Sequence, residues 1–169
     1  MSLAWTIRSE APGDETVIYD LVKRTFAPMP FSGGDEQDLV NLLRERRELG
    51  LSLVAVDPEG TIIGHVAFSP ATIDLSNCGW FQLAPVAVCP ARQHCGIGSA
   101  LIETGIEDLR RSGANGIAVV GNPAYYERFG FAIIPGLSPL SGHDAKYFRA
   151  MALVGNAPTG TLRYASAFG

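Results

Sequence analysis

Cysteine is scarce in this 169-residue chain, which contains only Cys78, Cys89 and Cys95. Their number is odd, and their spacing fits none of the paired patterns that hold zinc in proteins. The sequence therefore argues against a disulfide framework and predicts no metal site. Charged residues are also few, at 18% of the chain, whereas apolar residues make up 47%. This composition is typical of a folded domain with a sizeable core, rather than of a disordered chain.

The sequence also lacks an excess of positive charge, since its formal net charge is −4. Proteins that bind nucleic acid usually carry a basic patch that neutralises phosphates. The one basic cluster, Arg44–Arg47, lies among acidic residues and is typical of a solvated helix face. We therefore predict no nucleic-acid partner.

Long apolar runs are absent as well. No run approaches the length of about 18 residues that indicates a membrane span. The N-terminus has neither the basic start nor the apolar stretch of a secretory signal. These absences predict a cytoplasmic protein that has no membrane partner.

Strand and helix patterns occupy most of the chain. Strand patterns cover Leu3–Ser9, Leu51–Asp57, Thr61–Asp74, Trp80–Val88, Gly116–Gly121, Gly130–Ile134 and Ala150–Val154, and the C-terminal tail adds one weak strand. A first helix pattern begins at Asp14, with an apolar face that includes Val17. After a Pro/Gly loop at residues 27–34, a second pattern with Leu39 and Leu43 on its apolar face ends near Gly50, and two more cover Gly96–Arg111 and Asn122–Phe129. Antiparallel strands come first and a βαβ unit follows. The order predicts one domain, residues 1–169, with a mixed α/β sheet.

Proline interrupts the strand pattern Trp80–Val88, which is apolar on both faces and is therefore predicted to be central. Pro85 has no N–H to donate to a neighbouring strand. We therefore expect this strand to bulge or split at Pro85.

The segment "VCPARQHCGIGSALIE", residues 88–103, places two glycines between a strand and a helix. The glycines could form an ordinary turn, or a loop whose free N–H groups at the helix start hold an anion. A Walker A loop requires Lys after its last glycine, and no glycine here is followed by Lys. A dinucleotide-binding loop requires a third glycine, where Leu101 stands. The remaining pattern is Q-x-x-G-x-G, formed by Gln93, Gly96 and Gly98.

This segment resembles the acetyl-CoA motif Q/R-x-x-G-x-G/A of the GNAT superfamily of N-acetyltransferases. A later segment, "YYERFGF" at residues 125–131, resembles the aromatic-Tyr-Glu-x-x-Gly-Phe motif of the same family. The order of elements from the first strand to about Val154 also fits. The segments "LAPVAV", "YYERFGF" and "AMAL" are most similar to small bacterial predicted acetyltransferases. One departure is His94-Cys95, which stands where the family often has glycine and a basic residue.

The resemblance implies the GNAT fold, a mixed sheet flanked by about four helices with a V-shaped splay between two parallel strands. It implies acetyl-CoA as co-substrate and no metal. The residues expected to bind acetyl-CoA are Val86, Ala87 and Val88 through their backbone, Gln93, His94, Cys95, Gly96, Ile97, Gly98 and Ser99 at the pyrophosphate, and Asn122 and Tyr125. By family analogy alone, the chain is expected to form a homodimer.

The resemblance implies that Tyr126 is the catalytic general acid, because a phenol is protonated at neutral pH and can donate to the leaving thiolate. No general base is evident. Many relatives use a glutamate on the central strand, whereas this strand carries Gln82 and no acid. His65, His143 and Asp144 are weaker candidates, so ordered water leading to bulk solvent is the expected route for the proton.

The predicted reaction is direct transfer of the acetyl group to an amine of a small molecule or a protein, without a covalent intermediate on Cys95. The alternative is a CoA-binding sensor or partner-binding module that keeps the fold and has lost turnover; a mononucleotide-binding protein is a third interpretation. Acceptor specificity is expected from residues 27–38, from Trp80 and Phe81, and from the late loop 135–144. Residues 27–38 include three acids, Asp35, Glu36 and Asp38. These acids could attract an ammonium group or could simply begin a helix.

Overall fold

The structure, a computed structural model, describes residues 4–30 and 32–169. Its helices are α1 (Glu15–Phe26), α2 (Glu36–Glu45), α3 (Ile97–Arg111) and α4 (Pro123–Tyr126). Its strands are β1 (Thr6–Ser9), β2 (Leu51–Val56), β3 (Ile62–Ile73), β4 (Ser76–Val88), β5 (Gly116–Val120), β6 (Leu137–Pro139), β7 (Phe148–Ala152) and β8 (Gly160–Arg163). Leu3, which the sequence places in the first strand, and Phe31 of the loop before α2 lie outside the described residues.

All of these strands join one eight-stranded sheet with the order β1-β2-β3-β4-β5-β7, and β8 pairs with both β3 and β6. Strands β1 to β4 are antiparallel neighbours, whereas β4 and β5 run parallel because α3 crosses between them. The mixed α/β sheet expected from the sequence is therefore confirmed.

Helices cover both faces of the sheet, as the alternation along β2 shows. Leu53 and Ala55 pack in the apolar cluster that contains the buried side of α3. Val54, which points to the opposite face, packs with residues of α1 and α2. Successive side chains of a strand point to opposite faces, so α3 lies on one side of the sheet and α1 and α2 lie on the other.

The expected irregularity at Pro85 is present. The register between β3 and β4 shifts between Val66, opposite Val86, and Phe68, opposite Leu83. On the other side of β4, the parallel pairing with β5 ends at Gln82 and Ala118, although β5 continues to Val120. The two central strands therefore separate beyond this pair, which is the splay that the family resemblance implies.

Several predicted features differ in detail. Gly130–Ile134 forms only an isolated bridge at Ala132, because Pro135 and Gly136 end the extended run at once. The second helix ends at Glu45 rather than near Gly50, since Arg47 adopts a left-handed conformation with φ of 58°. Val17, which the sequence pattern puts on the buried face of α1, is 44% exposed.

Within residues 4–30 and 32–169, no helix combines the length and the apolar character needed to cross a membrane. The same part of the chain contains no group of three or more His, Cys, Asp or Glu side chains placed to hold a metal ion. Cys78, Cys89 and Cys95 are free thiols.

Candidate active site

The loop between β4 and α3 leaves a run of backbone N–H groups unused. His94 and Gly96 have φ angles of 65° and 88°, and Gly96 is the N-cap of α3. In the described part of the chain, no N–H from Gln93 to Ser99 donates a hydrogen bond, whereas Arg92 N–H bonds to Cys89 and Ala100 N–H to Gly96. The positive end of the α3 dipole adds to these free donors. The loop is therefore a ready anion site of the kind that the glycine pattern predicts.

Gln93 fixes this loop to the end of β4. Its Nε2 donates to the carbonyl oxygen of Val88 at 3.2 Å. The same carbonyl lies 3.3 Å from the Thr25 hydroxyl of α1, whose shorter hydrogen bond, at 2.8 Å, goes to the Leu21 carbonyl. The end of α1, the end of β4 and the glycine loop are thus held close together.

A cavity of about 860 Å³ begins at this loop and runs into the gap between β4 and β5. Four parts of the chain line it. They are the α1–α2 region (Thr25, Phe26, Met29, Glu36, Leu39), β4 (Leu83, Ala84, Pro85, Val86, Val88), the glycine loop with the start of α3 (Arg92, Gln93, His94, Gly96, Ile97, Gly98, Ser99) and the segment from the end of β5 (Val120, Gly121, Asn122, Tyr125, Tyr126, Arg128).

Tyr126 reaches this cavity from α4, just beyond the end of β5. A Cβ on Gly121 would lie 2.5 Å from the Tyr126 ring, so the ring packs tightly against the glycine backbone. Phe131 meets the ring edge-on, with a centroid distance of 6.0 Å. Burial, assisted by the nearby Tyr125, raises the pKa of Tyr126 to about 12. Its phenol therefore stays protonated over the whole physiological range and can donate a proton.

Tyr125 and Asn122 occupy the same wall. The Tyr125 hydroxyl would lie 3.2 Å from a Cβ on Gly98, so it stands directly over the start of α3. The Asn122 Oδ1 accepts the Ala124 N–H at 3.1 Å and caps α4. Capping accounts for Asn122 locally, and its position also places it in the cavity wall.

The structure brings most of the predicted ligand-binding residues to one cavity, with two exceptions. The side chain of Ala87 is 1% exposed and packs on the α1 face of the sheet, because it alternates with Val86 and Val88. Cys95 packs against the α3-side core, and its thiol points to the Gln93 carbonyl at 3.6 Å.

The candidate general bases do not reach the cavity. His65 is fully buried and bonds through Nε2 to Ser52, because a histidine on a central strand is covered by the helices above it. His143 is an exposed residue outside the cavity wall. Asp144 also lies outside that wall, where it accepts the Tyr164 hydroxyl at 3.3 Å.

Two arginines that sequence reasoning did not single out line the cavity beside the glycine loop. Arg92 lies 3.7 Å from the Asp57 carboxylate and directly precedes Gln93. The Arg128 guanidinium lies 5.2 Å from the centre of the Tyr125 ring and 5.5 Å from that of Phe129. Both arginines stand inside the two quoted motifs, so the signal was in the sequence. They supply the positive charge that His94-Cys95 does not.

The residues expected to set acceptor specificity are only partly in the cavity. Met29 and Glu36, from the expected region 27–38, line it. Trp80 is 2% exposed and packs against Gly116, where a Cβ would lie 2.3 Å from its ring. Neither Trp80 nor Phe81 lines the cavity, because their side chains are used in the core.

The profile of the acetyltransferase (GNAT) family matches residues 16–131. The chain belongs to the GNAT family of acetyltransferases. The matched region includes the glycine loop, α3 and the Tyr125–Phe131 segment, the parts on which the family resemblance rests. The family prediction made from the two motifs is confirmed.

Relatives in Escherichia coli K12 are named as N-acetyltransferases. YhbS is 38% identical over 127 residues, which cover 75% of this chain and 73% of that protein. YjhQ is 41% identical over 105 residues, covering 60% and 58% of the two chains. Both are described as uncharacterized N-acetyltransferases.

Solved structures of this family share the whole fold. A GNAT acetyltransferase from Brucella melitensis, in complex with acetyl-CoA, superposes with a TM-score of 0.88 at 38% identity and covers 99% of this chain and 100% of its own. YhbS of Escherichia coli, in complex with CoA, gives a TM-score of 0.91 at 33% identity, with coverage of 99% and 93%. These ligands agree with the co-substrate predicted from the sequence.

Proposed function

We propose that the chain binds acetyl-CoA in this cavity and transfers its acetyl group directly to an amine. One observation carries the proposal. A run of unused N–H groups, an unpaired stretch of a central strand and a protonated tyrosine meet in a single cavity. Transfer from acetyl-CoA requires an anion site for the pyrophosphate, a place for the extended pantetheine arm and a proton for the leaving thiolate. The three features meet these three requirements in turn.

The pyrophosphate belongs at the N–H groups of Gln93–Ser99. Glycines at 96 and 98 let phosphate oxygens approach the backbone closely. Arg92 and Arg128 lie in the same wall and add charge-assisted contacts. Two positive side chains beside a helix N-terminus favour a ligand that carries several phosphate charges.

The pantetheine arm belongs against the β5-facing side of β4. Beyond Gln82 and Ala118, β4 has no parallel partner within residues 4–30 and 32–169, and Leu83–Val86 and Val88 line the gap. An amide-containing arm can bond there to the backbone as an added strand would. This arrangement directs the thioester toward Tyr126.

Tyr126 acts as the general acid. When the amine nitrogen attacks the thioester carbonyl, the C–S bond breaks and sulfur leaves as a thiolate unless a proton is supplied. The Tyr126 phenol, with its pKa raised to about 12, holds that proton at neutral pH. A backbone N–H of β4 in the gap is suited to stabilise the oxyanion of the tetrahedral intermediate.

The attacking nitrogen needs to be neutral, and His65 is too deeply buried to remove its proton. The amine therefore reacts from its neutral fraction, and after the new C–N bond has formed its nitrogen loses one proton through water. We expect kcat/KM to rise with pH toward the pKa of the acceptor amine. Because the pKa of Tyr126 is raised, its ionisation does not produce a decline between pH 8 and about pH 10.

The test is Tyr126→Phe, which removes the phenolic proton and keeps the ring packing. We expect kcat for CoA release from acetyl-CoA, measured with a thiol reagent over a panel of amines, to fall roughly 100-fold. The KM for acetyl-CoA should stay unchanged. Tyr147→Phe is the matched control, because Tyr147 is 45% exposed and lies outside the cavity wall. Equal rates for Tyr126→Phe and the wild type would remove Tyr126 from the mechanism.

A CoA-binding sensor is the second candidate, favoured by Gln82 on the central strand where many relatives carry an acid. An amide cannot accept the ammonium proton. Isothermal titration with acetyl-CoA distinguishes the two functions when combined with the amine panel. Tight binding with no amine-dependent CoA release would favour the sensor over the transferase.

A further inference from the structure

The cavity wall carries positive and negative charge on different elements. Arg92 and Arg128 stand beside the glycine loop, whereas Glu36 is the only carboxylate among the described residues that line the cavity. Glu36 enters from the α1–α2 side together with the apolar side chains of Phe26, Met29 and Leu39.

Glu36 has no cationic partner in the described part of the chain. The carboxylates that form ion pairs there belong to other residues: Glu10, Asp14, Asp57, Glu107 and Glu127. The contact of Glu36 is with a neutral group, the Ser32 hydroxyl, which donates to its Oε2 at 2.8 Å. A carboxylate held by a neighbour beside apolar side chains attracts a cation more strongly than one in open water.

An acid at the start of a helix has an ordinary explanation, since it stabilises the helix dipole. Asp38 serves that purpose equally well on the same first turn of α2. It lines a smaller depression with Leu42 and Phe168, which Glu36 also borders, but of the two described acids on this turn only Glu36 also lines the main cavity. The dipole therefore accounts for acids on this turn but not for the one that faces the cavity.

We propose that Glu36 binds a second, non-reacting cationic group of the acceptor, so that the preferred substrate is an amine that also carries an ammonium or guanidinium group. The inference rests on the proposed acetyltransferase function. A carboxylate bound to the reacting nitrogen would hold it as an ammonium ion and oppose attack on the thioester. A carboxylate bound to another positive group orients the acceptor without that penalty. The apolar side chains beside Glu36 suit the carbon chain that joins the two nitrogens.

The experiment compares α,ω-diaminoalkanes of increasing length with the monoamines of the same carbon chain. For the wild type we expect kcat/KM to be about tenfold higher for a diamine than for its monoamine at one favoured length, as a charge-assisted contact predicts. Glu36→Gln keeps the Ser32 contact and should abolish that preference, while the KM for acetyl-CoA stays constant. Asp38→Asn, which removes the same charge from the same helix, should keep the preference.

Three outcomes would overturn the inference. The first is an absence of diamine preference at every length in an active wild type. The second is an equal loss of preference in Asp38→Asn. The third is an equal slowing of monoamines and diamines in Glu36→Gln, which would place Glu36 at the reacting nitrogen.

Binding is measured separately so that failure of the transferase proposal can be distinguished. The rise in melting temperature that each diamine adds to the CoA-bound protein is compared between the wild type and Glu36→Gln. If no amine is acetylated, a rise with the diamine that Glu36→Gln removes still supports the cation site. A diamine that gives no rise in the inactive wild type refutes it.

Discussion

At the residue scale, His65 shows how a side chain suited to catalysis is used for structure instead. The Ser52 hydroxyl donates to Glu10 at 2.9 Å, so the His65 Nε2–H must donate to the Ser52 oxygen, also at 2.9 Å. Its Nδ1 is buried with no partner among the described residues. A charged imidazolium would need an acceptor at Nδ1, so the ring is held neutral. Burial accordingly lowers the pKa of His65 to about 4.

This shift predicts a stability that depends on pH. In the unfolded chain a histidine titrates near its reference pKa of 6.5, above the folded value. Between these two values the unfolded state binds more protons, so stability is lost as pH falls. From pH 7 to pH 5 we expect the free energy of unfolding to drop by about 2 kcal/mol through this group. The pKa of Glu10 is also lowered, despite its burial, by the Arg44 and Ser52 hydrogen bonds, but its contribution is lost only at lower pH.

Urea unfolding at pH 7 and pH 5 checks this prediction. The glutamine in His65→Gln is uncharged at both pH values and can still donate to Ser52. The fall in the free energy of unfolding from pH 7 to pH 5 should therefore be about 2 kcal/mol smaller in this variant than in the wild type. His143→Gln removes an exposed histidine and should keep the full drop. An unchanged pH dependence in His65→Gln would show that another group is responsible.

The parts of the candidate site that depend on backbone conformation or on a sequence motif could be predicted from the sequence. Glycines at 96 and 98, followed by a helix, indicate an anion loop from their position alone, and Tyr126 follows from a motif. The positions of His65 and Glu36 were not predictable, because a one-dimensional pattern does not reveal which elements cover a side chain. Alternation along β3 gives the face of His65, but only the packing of α1 and α2 shows that the face is closed.

At the scale of elements, α3 is fixed to the sheet by a glycine in its middle. A Cβ on Gly105 would lie 2.3 Å from the Phe68 ring of β3. Helix propensity alone favours alanine over glycine by about 1 kcal/mol. The close approach to a fully buried ring reverses that preference, since both elements are held in the core.

Gly105→Ala should therefore destabilise the protein by about 1 to 3 kcal/mol, the usual cost of overpacking a core. Gly142→Ala is the control, because no heavy atom of the described residues lies within 4 Å of its added Cβ and its φ is not positive. The denaturant midpoints of the two variants are compared with that of the wild type, and only the midpoint of Gly105→Ala should fall. A Gly105→Ala protein as stable as the wild type would mean that α3 shifts freely on the sheet.

Elements with a clear pattern were predicted well whatever their length: the short β2 and β5 lie within one residue of their predicted bounds, whereas β4 begins at Ser76, four residues before the predicted Trp80. The fifteen-residue α3 and the twelve-residue β3 lie within one residue of their predicted bounds. The short β6 was missed, because Leu137–Pro139 contains a proline and too few residues to show alternation. It forms only because β8 returns to pair with it in parallel.

At the scale of the whole molecule, the distribution of charge matters more than its sum. The chain has a net charge of −4, which opposes the approach of a polyanionic ligand. Arg92 and Arg128 reverse the sign locally, beside the free N–H groups of the glycine loop. The rings of Tyr125 and Phe129 hold the Arg128 guanidinium in place through cation–π contacts.

Arg128→Gln should raise the KM for acetyl-CoA about threefold at low salt, in keeping with a partly exposed charge pair. The wild-type KM should rise with ionic strength, and this dependence should be weaker in Arg128→Gln. Arg111→Gln changes the net charge by the same amount, but Arg111 lies on the exposed side of α3, paired with Glu107. This variant should leave both the KM for acetyl-CoA and its dependence on ionic strength unchanged. If the two variants behave alike, only the overall charge matters and Arg128 makes no local contact.

The separation of β4 and β5 has a meaning beyond this one ligand. A strand that loses its neighbour exposes a row of hydrogen-bonding groups, and at the rim of a sheet such an edge invites other chains to pair and aggregate. Here the two open edges face each other in the interior, with residues of α1 and α2 on one side and α3 and α4 on the other. A folded chain is too thick to enter, whereas a thin, flexible arm fits. The unpaired edges of β4 and β5 are therefore shielded from pairing with other folded chains and remain accessible to a narrow ligand.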